Sequence, residues 1–233
     1  MKLQCVLAIL QAMTHTPDRL ACVIFDMDGT LTQTNELIFA SFNHVAEKYL
    51  GRSFSPKEII AMFGPPETGA VRKMFGEDRI GQALDDLCEF YRDRHNDLAY
   101  LHPGMDRVLA LLKERGIHLA LFTGKGRRTT GITLEAFGLT QFFDPVVTGD
   151  DVVNHKPHPE GIRKVLDRYH LSPSEVLMVG DSMADVDASR AAGVPVAAVL
   201  WDSFDRERVL QANTTLVFHK VEDLYEWFRR NLN

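Results

Sequence analysis

The 233-residue chain is poor in the features that mark several large protein classes. It holds only three cysteines, Cys5, Cys22 and Cys88, which are odd in number, far apart and set among apolar neighbours. That argues against a disulfide framework or a metal knuckle and fits buried, reduced thiols in a cytoplasmic protein. No apolar run is long enough to span a bilayer, since the stretch from Leu3 to Leu10 is interrupted by Gln4 and followed by Gln11. A secretory signal would need a stronger basic start than Lys2 and a small-residue cleavage site, so residues 1–18 are expected to form a short appended helix. Positive charge is scarce: 26 Lys and Arg stand against 32 Asp and Glu, for a formal charge of -6 and an isoelectric point near 5.8. No segment carries a basic stripe, which excludes a nucleic-acid surface and leaves small-molecule chemistry. Internal repeats and low-complexity tracts are missing as well. Asn213-Thr214-Thr215 has the form of a glycosylation site, without meaning in a cytoplasmic chain.

What is present, 45% hydrophobic and 25% charged residues, describes an ordinary globular protein. Its length suits one large domain or one domain carrying a smaller insertion. The most informative stretch is Phe25-Asp26-Met27-Asp28-Gly29-Thr30, which follows the apolar run Ala21 to Phe25. Such a run, β-branched in part, reads as a buried strand. Residues two apart point to the same side of an extended chain, so Asp26 and Asp28 converge just past the strand while Gly29-Thr30 turns the backbone away. Two close carboxylates repel, and a fold retains them where a cation, a proton or a reaction uses them.

After this pair, Ile38, Phe42, Val45 and Tyr49 recur at helical spacing over residues 35–50, and Gly51 stands where a left-handed terminator belongs. Ser55-Pro56-Lys57-Glu58 combines an N-cap, a proline at the first helical position and a glutamate three after the cap, which starts a second helix. Gly64-Pro65-Pro66-Glu67-Thr68-Gly69 interrupts the pattern, and Leu84, Leu87, Cys88, Tyr91 and Leu98 mark a further long helix. No strand is expected between residue 31 and about residue 100. His102-Pro103-Gly104 reads as a hinge, and beyond it helices and strands alternate: strands at 117–122, 145–148, 176–179 and 194–200, helices at 105–115, 127–137, 159–169 and 184–191. Thr215 to Phe218 adds a last strand and Val221 to Arg230 a closing helix. The alternation predicts an α/β fold with a doubly wound parallel sheet, interrupted by a helical insertion. The expected division is an extension at 1–18, a core of 19–32 with 103–233, and a helical unit at 33–102.

In open parallel sheets ligands bind beyond the carboxyl ends of the strands. At those ends this chain places Thr123-Gly124-Lys125-Gly126, Lys156-Pro157 and Gly180-Asp181-Ser182, with Asp185 one helical turn further on. Singly, Thr123-Gly124 is a turn, Lys156 a loop lysine and Asp181 a helix cap. Together they gather carboxylates, a hydroxyl and an ammonium at one edge of one sheet. His155 and His158 do not make a metal pair, because Pro157 and Pro159 disfavour a helix through them. His44 and His95 are lone helical histidines and are expected to be structural or solvated.

In order and spacing, Asp26-Met27-Asp28-Gly29-Thr30, Thr123, Lys156-Pro157-His158-Pro159 and Gly180-Asp181-Ser182-Met183-Ala184-Asp185 resemble the four motifs of the haloacid dehalogenase superfamily of phosphotransferases. The likeness runs from residue 21 to about residue 200, and the helical insertion resembles that superfamily's α-helical cap on a Rossmann-like core. The resemblance implies that Asp26 is the nucleophile that forms an aspartyl-phosphate and that Asp28 is the general acid and base. It implies one Mg²⁺ held by Asp26, the backbone carbonyl of Asp28 and Asp181. Thr123, with Gly124, would bind the phosphoryl oxygens, Lys156 would neutralise charge on nucleophile and phosphate, and Asp185 would position Lys156.

The aspartate at position 28 separates this chain from superfamily members that cleave halides or phosphonates, as the resemblance has it, and leaves phosphatase or phosphomutase. A sugar phosphomutase wants basic cap residues facing the core, for which Arg52, Arg72 and Lys73 are candidates, although exposed charges are the commoner explanation. Thr34 to Ile38, Phe63-Gly64-Pro65-Pro66 and Val147 to Val152 look like the phosphoglycolate phosphatase group and its bacterial pyrophosphatases. The resemblance therefore implies a phosphorylated metabolite or pyrophosphate as partner, with the protein a monomer or homodimer that binds neither nucleic acid nor membrane. Lys125, Arg127 and Arg128 would help with a second anionic group, or simply form a solvated helix start. A catalytically silent phosphate-sensing or protein-binding module is the competing class, and the complete set Asp26, Asp28, Thr123, Lys156, Asp181 and Asp185 argues against it.

Overall fold

The expected buried strand is present as β1, Cys22–Phe25, in a computed structural model that describes residues 20–63, 66–212, 214 and 216–232. The appended helix at 1–18, Cys5, Gly64-Pro65, Asn213 and Thr215 lie outside the described residues. All four residues of β1 are buried because both faces of the strand are covered. Val23 and Phe25 belong to one apolar cluster, and Cys22 and Ile24 to the other.

The sheet is wholly parallel. Its other strands are β4 (His118–Phe122), β5 (Val146–Val147), β6 (Val176–Gly180), β7 (Val196–Val199) and β8 (Leu216–Phe218), in the spatial order β5-β4-β1-β6-β7-β8. Numbered within the sheet alone this is the doubly wound order 3-2-1-4-5-6, whose direction reverses between β1 and β6. A crevice therefore opens past Phe25 and Gly180, where Asp26 and Asp181 follow.

Helices Met105–Glu114 and Val221–Asn231 cover one face of the sheet. Helices Glu160–Tyr169 and Met183–Ala192 cover the other. Leu109 is fully enclosed in the first cluster. Leu109→Ala is expected to cost about 3 kcal/mol through lost burial and an unfilled cavity, read as a lower urea midpoint at an unchanged slope.

The segment between β1 and the first core helix carries Asn35–Leu50, Pro56–Ile60, Glu67–Phe75 and Ile80–Leu98. Gly51 ends the first of these in the left-handed region, at φ 66°. Ser55 and Glu58 form the expected reciprocal cap on the second. These helices gather around their own apolar cluster, which includes Leu37, Phe42, Val45, Leu87 and Tyr91.

One expectation fails here, because the segment is not free of strands. Thr32–Gln33 (β2) and Tyr100–Leu101 (β3) pair as a two-residue antiparallel ribbon at the root of the insertion. The backbone N–H of His102 donates to Leu31 O at 3.0 Å beside it. Two residues are too few to show alternation, which is why the sequence pattern misses the pair. The helix Arg127–Ala136 joins the two units, since Thr123-Gly126 leads into it from the core while Ile132 packs into the insertion's cluster.

Candidate active site

Asp26 lies at the open end of β1, and the residue is 8% exposed. Lys156, on the loop after β5, donates to Asp26 Oδ1 at 2.7 Å and to Asp185 Oδ1 at 2.6 Å. The other oxygen of Asp185 accepts from the Ser182 N–H at 3.1 Å and the Ser182 hydroxyl at 2.7 Å. Ser182 in turn caps the helix Met183–Ala192. Asp185 is thereby held on both sides, by Lys156 and by Ser182. The N-cap is Ser182 and not Asp181, which leaves the Asp181 carboxylate for the crevice.

Asp181 receives a long contact from the Thr30 hydroxyl, 3.4 Å from Oδ1. Gly29 has φ 82°, and a Cβ there would lie 2.6 Å from Asp181 Oδ2. Only glycine combines that backbone conformation with that approach. Burial pushes the Asp26 carboxyl up to about 7; Lys156 opposes the shift, and Asp185 and Asp28 add to it. Burial, reinforced by Asp26 and Asp185, also holds Asp181 well above the usual carboxylate range. For Lys156, burial disfavours the charge, but Asp185 and Asp26 outweigh it and raise its pKa.

Asp26, Asp181 and Asp185 each bring a carboxylate oxygen within 4.8 Å of the others. Because Lys156 and Ser182 engage Asp185, Asp26 and Asp181 are the pair available to a hard cation. Their oxygen donors, and a burial that Lys156 offsets only in part, fit Mg²⁺. The Asp28 side chain stays out of this group: Thr34 donates its hydroxyl to Oδ1, and Lys125 Nζ lies 3.4 Å from Oδ2. The expectation for Asp28 concerned its backbone carbonyl, which these contacts leave untouched. Thr123 is buried, and its hydroxyl oxygen accepts the Lys125 N–H at 3.2 Å, leaving the hydroxyl hydrogen for a ligand. Gly124 and Thr123 both line the chamber.

That chamber, of about 540 Å³, reaches from the carboxylates to an apolar wall formed by Ile38, Phe42, Phe63, Pro66 and Phe204. Among the described residues it takes no basic side chain from the insertion. Arg52 and Arg72 are exposed and pair with Glu58 and Glu77, and Lys73 is exposed. Arg127 and Arg128 are also solvated, paired with Asp151 and Asp85.

Lys125 corrects the expectation of a solvated helix start. Its side chain is 2% exposed, its Nζ sits 4.7 Å from the Tyr91 ring centroid, and it faces Asp28 and Glu67. Glu67 is the residue that sequence reasoning missed. In the sequence it stands inside a Gly/Pro-rich interruption, yet it is the first residue of the helix Glu67–Phe75. The signal that marks it is a lone acid following Pro66 at a helix start. His155 and His158 sit in a turn closed by His158 N–H donating to His155 O at 2.9 Å. His95 is buried against Tyr91 and Phe137, a structural place.

A parallel sheet with this strand order, an inserted helical unit and a lysine-braced aspartate at the crevice define a class of hydrolase, and a family comparison agrees. Residues 23–199 match the model of the haloacid dehalogenase-like hydrolases, and the chain belongs to that family. It is 34% identical over 206 residues to the pyrophosphatase PpaX of Bacillus cereus, covering 88% of this chain and 95% of that one. Among solved structures, "a predicted phosphoglycolate phosphatase" from Haemophilus somnus superposes with a TM-score of 0.78 at 23% identity, over 89% of this chain and 97% of the other. CbbY from Rhodobacter sphaeroides, determined in complex with phosphate, superposes with a TM-score of 0.75 at 22% identity, over 88% and 96%. The two solved structures share the fold. No helix among the described residues is long and apolar enough to cross a membrane.

Proposed function

We propose that this hydrolase is a Mg²⁺-dependent phosphatase that cleaves a small phosphate ester or anhydride through an aspartyl-phosphate on Asp26. The observation that carries the reading is the buried Asp26 carboxylate at the open end of the sheet, with Lys156 at 2.7 Å bridging it to Asp185. Asp26 attacks phosphorus, the bond from phosphorus to the leaving oxygen breaks, and Asp28 gives that oxygen its proton. Asp28 then takes a proton from water, whose oxygen displaces Asp26 from phosphorus and releases inorganic phosphate. Thr123 donates to a phosphoryl oxygen.

Two like unit charges about 4 Å apart repel by roughly 4 kcal/mol at an effective dielectric of about 20. A carboxylate meeting a phosphate dianion faces that repulsion more than once, and Lys156 opposes it. Asp26 and Asp181, with the Asp28 backbone carbonyl, would hold Mg²⁺, which supplies further positive charge at the phosphoryl oxygens. The apolar wall from Ile38 to Phe204 keeps bulk water away from the acyl phosphate.

Pyrophosphate is supported as substrate by the Bacillus cereus relative, and the segments Thr34 to Ile38, Phe63 to Pro66 and Val147 to Val152 resemble the phosphoglycolate phosphatase group and, more closely, its bacterial pyrophosphatases. The absence of a free basic cap residue in the chamber, among the described residues, speaks against the mutase. Phosphate release from pyrophosphate, phosphoglycolate, sugar phosphates and nucleotides, with and without Mg²⁺, tests the reading. Chelation by EDTA is expected to lower kcat by about 100-fold or more, reversibly on adding Mg²⁺. Chelator-resistant turnover would contradict the metal assignment, and uniformly negligible release would favour a mutase acting on another sugar phosphate or the silent module.

A further inference from the structure

Glu67 belongs by sequence to the helical insertion, yet its carboxylate is anchored in the core. Oε2 accepts the Gly126 N–H at 2.6 Å and Oε1 accepts the Thr129 hydroxyl at 2.5 Å. Gly126 makes room for this, since a Cβ there would run into the Glu67 carboxylate. Lys125 Nζ lies 3.9 Å from Glu67 Oε1 and 3.4 Å from Asp28 Oδ2. An ammonium this buried is placed by the groups that compensate its charge, and here one comes from each unit. Asp28 has one oxygen held by Thr34 and the other facing Lys125.

We propose that Glu67 is a positioning residue for phosphoryl transfer. Seated in the core with the cap down, its carboxylate holds Lys125 against Asp28, so the acid/base carboxyl is oriented only when the cap is in place. A substrate that draws the cap down thereby completes the group that protonates its leaving oxygen. The contact stands on geometry alone, whereas its catalytic consequence rests on the phosphatase reading.

Glu67→Gln keeps an oxygen for the Gly126 N–H and removes the charge facing Lys125. The test compares wild type, Glu67→Gln, Lys125→Met and the double variant in kcat and KM, with Mg²⁺, for whichever of phosphoglycolate and pyrophosphate the wild type hydrolyses faster, since both leave a basic oxygen that takes up a proton, together with thermal midpoints. Exchange of the Gly126 amide, followed by NMR, adds a readout independent of turnover. Glu67→Gln is expected to lose roughly tenfold or more in kcat with KM within about twofold. In the Lys125→Met background the same change is expected to cost nothing further, because Glu67 acts through Lys125. Gly126 exchange should stay slow in Glu67→Gln and quicken by roughly tenfold in Glu67→Ala.

A wild-type kcat in Glu67→Gln, multiplicative losses in the double variant, or unchanged Gly126 exchange in Glu67→Ala would each overturn the proposal. Should Lys125→Met not fold, Lys125→Gln, which also removes the charge, takes its position in the cycle. An inactive wild type would overturn the phosphatase reading and the catalytic role with it. Gly126 exchange would still report the contact, so the two failures are told apart.

Discussion

Asp26→Asn is expected to abolish turnover, by about 10⁴-fold or more, while leaving the protein folded. The amide has nearly the shape of the carboxylate but no nucleophilic oxygen of comparable strength. The barrier lost therefore falls on the chemical step, and kcat drops while substrate binding persists. Stability should hold or rise. Asp26 is buried beside Asp28 and Asp185, and burial already lifts its carboxyl to about 7, so removing its charge relieves repulsion. Lys156 keeps its second partner, Asp185, at 2.6 Å. Phosphate release and a thermal melt on the same preparation test both halves, and near-normal release would remove Asp26 as the nucleophile.

Lys156→Met carries the second large effect, and it differs in kind. Methionine reproduces much of the length without the charge, so Asp26 and Asp185 are left buried and facing one another. Breaking a buried pair by removing one partner costs about 3–5 kcal/mol in stability. The same loss leaves the approach of carboxylate to phosphate uncompensated by roughly 4 kcal/mol, about 10³-fold in kcat. A lower urea midpoint together with the drop in kcat is the expected signature. Asp185→Asn supplies the contrast, because Lys156 then keeps its charge and its 2.7 Å bond to Asp26. Its expected loss in kcat is smaller, about 10- to 100-fold. Equal effects from the two variants would mean that the Lys156 charge contributes nothing unless Asp185 holds it in place.

The parts of the fold and site that can be read from the chain are those written in short, contiguous signals. The apolar run ending in Asp26-Met27-Asp28 marks β1, because a strand buried on both faces has no polar alternation to hide it. Ser55 and Glu58 announce a helix start in four residues, and the structure closes both bonds of that cap. Lys156, Asp181 and Asp185 follow from their places after strands, since a parallel sheet brings all such places to one edge. Lys125 could not be distinguished from Arg127 and Arg128 in the same way. What buries it is Tyr91 on the long cap helix and Glu67 on another, and contacts across that much sequence leave no local trace. Glu67 was hidden by the glycines and prolines around it, which read as a break although a helix begins there. The β2–β3 ribbon escaped because its strands are shorter than any period that a pattern can register.

The ribbon and the helix Arg127–Ala136 together set the terms on which this cap could be exchanged for another. Thr32 and Leu101 are paired neighbours, so the insertion leaves and re-enters the core at adjacent points, like a cassette. A transplant cut there would close without stretching the chain. It would still inherit a sticky seam, because Ile132 of the core buries itself among cap residues and Tyr91 shares a 2.9 Å hydrogen bond with Thr133. A foreign cap without a matching apolar face and an acid to answer Lys125 would leave that seam wet and the lysine without a cap-borne counter-charge. Cap and core are modular in their connection but co-adapted in their contact.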